Sequence, residues 1–451
     1  MSRLTIYCDH ITNRLSYSCE VIFTRILHWQ YDLLPASKQG SSDGDWILYY
    51  MKEPPEECFS HCIQPSGLLW DKGITQIALK NGIHQVLQFP ILFISQSGCL
   101  LGYDIFSAVF YMVSRYEEYL PFSSDSYGRF PEKLSTSGTL GFTQIPIVHL
   151  WARDLLTKLR ELYPDIPVGI TAPNALFTYD IDVAYAYRGR SFFTHVASLA
   201  KNVLRGQFNV VHNKWTHRFG LRSDPSDTYY IMYSNPIPVL YFMLLKKNRT
   251  QYDRNLNPRH AAMEALILLC RNHTEVGIHP SYYSMEQNHL IDKEKLQLQT
   301  ILKENITKSR QHFLRFRMPD TYRVLLKAGI TDDYSMQYPE MPGFRAGICV
   351  PYPFFDILAD SITNLTIHPG CIMDTTFRDD IKIPASESWE WYMRLCKAIA
   401  EVGGTFISIW HNDTLWNNLA DNHPLAFKQI HQKLIQLVSD IYTSPEKSGN
   451  T

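Results

Sequence analysis

Apolar and polar positions along this chain fall into two textures. Up to about Pro164, short apolar runs mix irregularly with polar ones around one convincing helix. Asp104 can cap that helix, and Ile105, Val109, Met112 and Val113 follow at helical spacing toward Arg115 and Glu118. A polar stretch containing Gly and Ser runs from Pro121 to Gly141, a second helix is predicted over His149–Leu162, and the Pro-rich segment Pro167–Pro173 reads as a linker.

Beyond Pro173, strands alternate with helices. Ala175–Tyr179 is an apolar strand ending at a carboxylate, and Ile237–Leu245 is a buried strand or helix. Asn257 caps a predicted helix with Pro258 at its first position, running to about Asn272. The strand Val276–Ile278 ends at His279, and Arg310–Phe316 reads as another strand. Asp320 caps a helix that stops at Gly329, and Glu387–Glu401 forms one that closes on Gly403 and Gly404. Phe406–Ile409 is a strand, and Phe427, Ile430, Leu434, Leu437 and Ile441 mark a last amphipathic helix. Such alternation implies parallel strands with crossover helices. Asp180, His279 and His411 then lie just past the C-terminal ends of three strands, the face where (β/α) barrels place their sites.

At 451 residues the chain is long enough for two domains, with 45% hydrophobic and 19% charged residues to build and solvate a sizeable core. The formal net charge of -1 gives no electrostatic case for nucleic acid or an anionic membrane as partner. No apolar run approaches the ~18 residues of a spanning helix. Asp9, His10 and Arg14 stand where a signal peptide needs apolar residues, so a cytoplasmic location is expected. Of the 9 cysteines, Cys58 and Cys62 are the closest pair and have no second pair to complete a zinc knuckle; reduced, buried thiols are expected. Aromatics at 13% fit a carbohydrate-facing cleft and fit a Tyr-rich core equally well.

The sharpest motif is Phe177-Thr178-Tyr179-Asp180-Ile181-Asp182. Two carboxylates two apart give one group to hold a cation and one to act as a base, the division that metal-assisted hydrolysis of an amide or ester needs. An isolated pair of this kind is an ordinary turn with a helix cap; its company changes the reading. Glu275-Val276-Gly277-Ile278-His279 ends a strand on a potential nitrogen ligand. Ser408-Ile409-Trp410-His411-Asn412-Asp413 ends another on a histidine that is either a proton donor to a leaving amine or a hydrogen-bonded structural residue.

This ordered series resembles the polysaccharide deacetylase family, carbohydrate esterase family 4, over about Pro173–Tyr442. It looks closest to a divergent branch of Bacteroidetes-type bacteria whose uncharacterised N-terminal domain Ser114–Tyr119 resembles. The resemblance implies an α/β fold: a polysaccharide-deacetylase-like (β/α) barrel over residues 173–445, preceded by a smaller α+β domain over 1–166. Thr178–Asp182 matches the family's Thr-Phe-Asp-x-Asp motif, which implies Asp180 as base and Asp182 as metal ligand. The family's second motif, His-Ser/Thr-x-x-His, matches at His279 and departs at Tyr283, which occupies the place of its second ligand. His312, in Arg310-Gln311-His312-Phe313, is the substitute ligand expected from the next strand; Tyr283 itself is the other candidate. For the family's base-orienting arginine, Arg315 and Arg345 are candidates, and Arg345, near Gly343 and Gly347, is preferred. The late Leu-x-x-His motif matches Ile407–His411, making His411 the general acid with Trp410 as a stacking wall.

The expectation is therefore a hydrolase of a non-peptide C–N bond using a divalent metal, zinc first, on an N-acetylated sugar, a glycan precursor or a small amide. The rival is a non-catalytic glycan-binding or assembly protein that keeps the barrel, suggested by Tyr283. Oligomeric state has no signature in the chain.

Overall fold

The computed structural model describes residues 3–39, 46–95, 99–169, 171–189, 203–204, 208–218, 221–416 and 427–442. The outer ends of the two expected domains, residues 1–2 and 443–445, lie outside them.

The first part carries four strands, β1 (Leu4–Cys8), β2 (Tyr31–Pro35), β3 (Trp46–Tyr50) and β4 (Cys62–Ile63), in the order β2-β1-β3-β4. All are parallel. This is the pattern of crossover units, where a segregated α+β layer was expected. A small antiparallel hairpin, β5 (Asn81–Ile83) and β6 (Pro90–Leu92), is added beside it. The helix predicted after Asp104 spans Ile105–Val113, with the Asp104 carboxylate accepting from Ser107 N–H. It stops short of Glu118 because Arg115 sits in the left-handed region at φ 57°.

The second part is built on a nine-stranded sheet of β7 (Asn174–Ile181), β8 (Val239–Met243), β9 (Val276–Ile278), β10 (Lys308–Ser309), β11 (Asp332–Asp333), β12 (Tyr352–Asp356), β13 (Ser361–Ile367), β14 (Ile372–Met373) and β15 (Thr405–His411). The order is β12-β13-β11-β10-β9-β8-β7-β15-β14, and only β12 against β13 is antiparallel. The sheet curls tightly. β8 and β11 are separated by two strands, so a flat sheet would hold them about 14 Å apart. Phe242 at the end of β8 and Tyr334 just past β11 nevertheless bring their ring centroids to 5.3 Å. With Leu176, Leu240 and Ile407 they fill an inner cluster on the concave face. Among the described residues the ladder ends at β12 on one side and β14 on the other and does not close.

The convex face carries the helices. Phe177, Tyr179 and Trp410 point outward against His431 of the helix Lys428–Tyr442. Burial on both faces explains why β7 and β15 read as near-continuous apolar runs. Two sequence expectations shift. The Asn257-Pro258 pair forms the turn before a helix over Ala261–His273 that His260 caps by accepting from Ala262 N–H. The expected strand Arg310–Phe316 is only Lys308–Ser309; the rest is a loop in which Phe313 and Leu314 take φ of 62° and 49°.

The apolar core does not respect the expected boundary between domains. One cluster runs from Leu4 through Trp151 to Val438. Tyr17 donates to the carbonyl of Pro353 at 2.9 Å, and Arg345 forks onto both oxygens of Glu118 at 2.9 and 2.6 Å. Within this core two histidines are neutral. Burial pushes His149 and His431 down to about 3. His149 Nε2 accepts from Cys349 N–H, and His431 Nε2 pairs with the Tyr179 hydroxyl. Their folded pKa values lie below the unfolded value of about 6.5, so the unfolded chain binds more protons across that window. The stability they contribute is complete above pH ~6.5 and falls by about 1 kcal/mol per pH unit for each as the pH drops toward 3. Urea unfolding midpoints between pH 7 and 4 should decline accordingly, less steeply in His149→Gln; identical slopes would contradict the assignment.

Candidate metal centre

The parallel register delivers the site. β7 pairs with β15 so that Asp180 stands beside His411, Met243 of β8 pairs with Ile278 of β9, and Ile278 pairs with Ser309 of β10. On the other flank Met373 of β14 pairs with Ile409. The residues that follow, His279, Arg310 and Asp374, therefore emerge at the same sheet end as Asp180 and His411. Gly277 makes the close packing possible: a Cβ there would meet Phe242 Cε1 at 2.7 Å and the Lys308 carbonyl at 2.8 Å. Phe242 in turn lies under the Arg310 guanidinium at 4.5 Å.

Hydrogen bonds fix which nitrogens face inward. His279 Nδ1 lies 2.6 Å from the carbonyl of Arg310, which can only accept, so Nδ1 carries the proton. Its Nε2 then points a lone pair at Asp182 Oδ1, 3.2 Å away. His312 Nδ1 faces Asp253 Oδ1 at 2.9 Å, a carboxylate oxygen that also accepts from Tyr282 N–H, and its Nε2 lies 3.3 Å from Asp182 Oδ2. Asp182 Oδ1 is buried without a hydrogen-bond partner. The ligand atoms of Asp182, His279 and His312 all lie within 4.8 Å of one another. Lone pairs converging on one point are an unfavourable arrangement unless a proton or cation sits between them. Burial would lower His312, but Asp182 and Asp253 lift it to about 9. Burial would raise Asp182, but His312 and His279 hold it well below the usual carboxylate range. Two imidazoles and a carboxylate, each histidine oriented by an acceptor on its far nitrogen, fit a divalent cation.

Beside this triad, Asp180 accepts from Arg310 Nη1 at 2.9 Å through Oδ1, while Oδ2 faces His279 Nε2 at 3.7 Å. His411 Nδ1 lies 2.7 Å from Asp374 Oδ1, and its Nε2 is 3.7 Å from Asp182 Oδ2. Burial pushes His411 down, but Asp374, with Asp182 and Asp180 beyond it, raises it to about 10. Asp374 is itself fully buried and accepts from His411 N–H, Thr375 N–H and the Thr414 hydroxyl. All of this opens into a cavity of about 560 Å³, within the range of small-molecule sites.

The structure thus brings together Asp180, Asp182, His279, His312 and His411 and leaves out Arg345, Arg315 and Tyr283. Arg345 does not reach Asp180: its fork is spent on Glu118 and its plane lies over Phe316 at 4.3 Å, where it ties the two parts of the chain together. Arg310 bonds to Asp180 instead. Arg315 is engaged with Glu286 and the Tyr282 carbonyl. Tyr283 packs against Tyr252 and Tyr282 and is absent from both the ligand triad and the cavity lining. Three participants had gone unseen in the sequence. Arg310 was hidden inside an overlong strand. Asp374 carried a signal, an acid at the end of the short apolar run Cys371-Ile372-Met373. Asp253, in a polar loop, carried none.

Residues 4–164 match a family of unknown function, DUF7033. No curated protein matches the chain. Among solved structures, a polysaccharide deacetylase from Mycobacterium smegmatis is similar at 12% identity and a TM-score of 0.38, over 62% of this chain and 87% of that one. One from Pseudomonas aeruginosa PAO1 is similar at 11% identity and 0.38, over 59% and 85%. One from Bacillus cereus is similar at 9% identity and 0.28, over 62% and 95%. At that identity and score the likeness carries no argument about chemistry, which rests on the side chains themselves.

Two outcomes follow for metal binding. Asp253→Asn should weaken zinc about 10–100-fold by releasing His312, while Tyr283→Phe should leave zinc affinity unchanged; calorimetric titration separates them, and a Tyr283→Phe protein that loses zinc would overturn the triad. Gly277→Ala should cost about tenfold or more in the same titration, because its Cβ must push Phe242 and the β10 backbone away from His279 and Arg310. Wild-type affinity in Gly277→Ala would show that this close approach does not set the ligand geometry.

Proposed function

We propose that this chain is a metal-dependent hydrolase of a non-peptide C–N bond that deacetylates an N-acetylated sugar or glycan precursor, with residues 173–445 as its catalytic part and residues 1–166 as a smaller unit packed against it. The observation that carries the reading is the convergence of three oriented ligand atoms, from Asp182, His279 and His312, beside a carboxylate and an imidazole that no ligand role consumes. A divalent cation held there supplies Lewis-acid polarisation of the acyl oxygen and acidifies water.

The protein's own groups divide the proton work. Arg310 fixes Asp180 through Oδ1, which leaves Oδ2 turned to the site to take the proton of the attacking water. Asp374 holds His411 by Nδ1, so the proton on Nε2 can pass to the departing nitrogen. The two groups come from adjacent strands, Asp180 facing His279 and His411 facing Asp182. His312 removes the main motive for a non-catalytic reading, because it restores the third ligand that Tyr283 had left open.

Substitution separates the roles. Asp180→Asn should lower kcat for amide hydrolysis about 10²–10⁴-fold with zinc content intact. His411→Ala should do likewise on amides and cost much less on activated aryl acetates, whose leaving group departs without protonation. Wild-type amide turnover in both variants would refute these assignments.

A further inference from the structure

One wall of the cavity comes from the N-terminal part of the chain. Tyr127 and Arg129, within the segment that matches a family of unknown function, line the same space as Asp180, His279 and His411. They sit in a tight turn in which Asp125 Oδ1 accepts from the N–H groups of both Tyr127 and Arg129, at 2.9 and 2.8 Å. Gly128 closes the turn at φ 79°. The turn is clamped to the sheet from both sides: Arg315 Nε donates to the Tyr127 carbonyl, and Arg129 Nη1 donates to the Phe313 carbonyl at 2.9 Å.

The guanidinium of Arg129 is therefore held in one orientation. Nε is bound to Asp125 Oδ2 at 2.7 Å, Nη1 to Phe313, and its plane lies over the Tyr127 ring at 4.7 Å. Nη2 has no protein partner among the described residues, although Arg129 is only 5% exposed. A fixed, nearly buried donor with one unspent nitrogen at the edge of a polar cavity is poised to bind a ligand oxygen. The charge around it points to a neutral ligand. Of the other arginines in the lining, Arg378 is paired with Asp379 at 2.8 Å and Asp413 at 3.3 Å, and Arg254 is exposed with its Nε donating to the Gln251 carbonyl. Asp180, Asp182, Asp379, Asp380 and Asp413 share the same lining and outnumber the arginines, a balance that disfavours an anion.

We infer that Arg129 is a substrate-contacting specificity residue, donating from Nη2 to an oxygen of a neutral N-acylated sugar, and that the N-terminal region thereby completes the binding site. This rests on the deacetylase reading above. It makes the two parts of the chain one enzyme, where a catalytic unit with an appended module would leave the cavity without this wall.

The test uses the full-length, zinc-supplemented protein with two probes: N,N′-diacetylchitobiose, a neutral N-acetylated disaccharide with hydroxyl and acetamido oxygens to accept from Nη2, and 4-nitrophenyl acetate, a small ester without a sugar. Arg129→Met and Arg129→Lys should each lower kcat/KM for the sugar about 10–100-fold, mainly through KM, with aryl acetate turnover and zinc content unchanged. If both probes lose rate together, or zinc content drops, Arg129 only holds the Phe313 loop and the inference is overturned. If sugar turnover survives intact in both variants, it is likewise overturned while the deacetylase reading stands. A wild-type protein that hydrolyses the aryl acetate and no acetylated sugar would instead remove the deacetylase reading, and this inference with it.

Discussion

The carbonyl of Arg310 accepts from His279 while its guanidinium donates to Asp180, so a single residue orients both the imidazole and the neighbouring carboxylate of the candidate site. The same side chain bonds Thr178 Oγ1 at 2.7 Å and the Tyr334 carbonyl at 3.0 Å, spanning the concave face from β7 to the end of β11. It is completely buried, so each of these bonds operates in a low-dielectric setting where losing one partner strands a charge. The packing of Phe242 beneath it, and the absent side chain of Gly277 beside that ring, are consequences of giving this guanidinium a place to lie.

A second buried ionic group organises the contact between the two parts of the chain. Glu118 is shared by Arg115 and Arg345, and Arg115 also reaches Glu117 and the Tyr338 hydroxyl. Burial works against the Glu118 carboxylate, but the two arginines hold its pKa below the usual value. Arg345 thus serves the architecture with the glycine-flanked geometry that suggested a role in the site. The shared apolar core around this group means that the wall carrying Tyr127 and Arg129 is set by the same packing that seats the sheet.

The candidate metal site draws its third donor from a different loop than the sequence motif places it. A second histidine four residues after His279 would come from the same loop. Here Tyr283 turns into an aromatic group with Tyr252 and Tyr282, and His312 enters from the loop after β10. The left-handed backbone at Phe313 and Leu314 follows His312 directly, and Asp253 holds its far nitrogen. A donor atom needs only to be at the right point with its lone pair inward; the strand that brings it there is free to vary.

Asp180, Asp182, His279 and His411 were legible because a strand buried on both faces is a local pattern, a short apolar run broken by a polar residue at its end. The same pattern announced parallel strands with crossover helices. What the sequence could not contain was which strand lies beside which, how far the sheet curls, and which acceptor each imidazole meets. Arg310 reaches Asp180 across 130 residues of chain, and Asp374 reaches His411 across 37. Those partnerships are settled by strand register and curvature. Both follow from long-range pairing of backbone hydrogen bonds, so the local spacing that reveals a strand end says nothing of the strand end it will face.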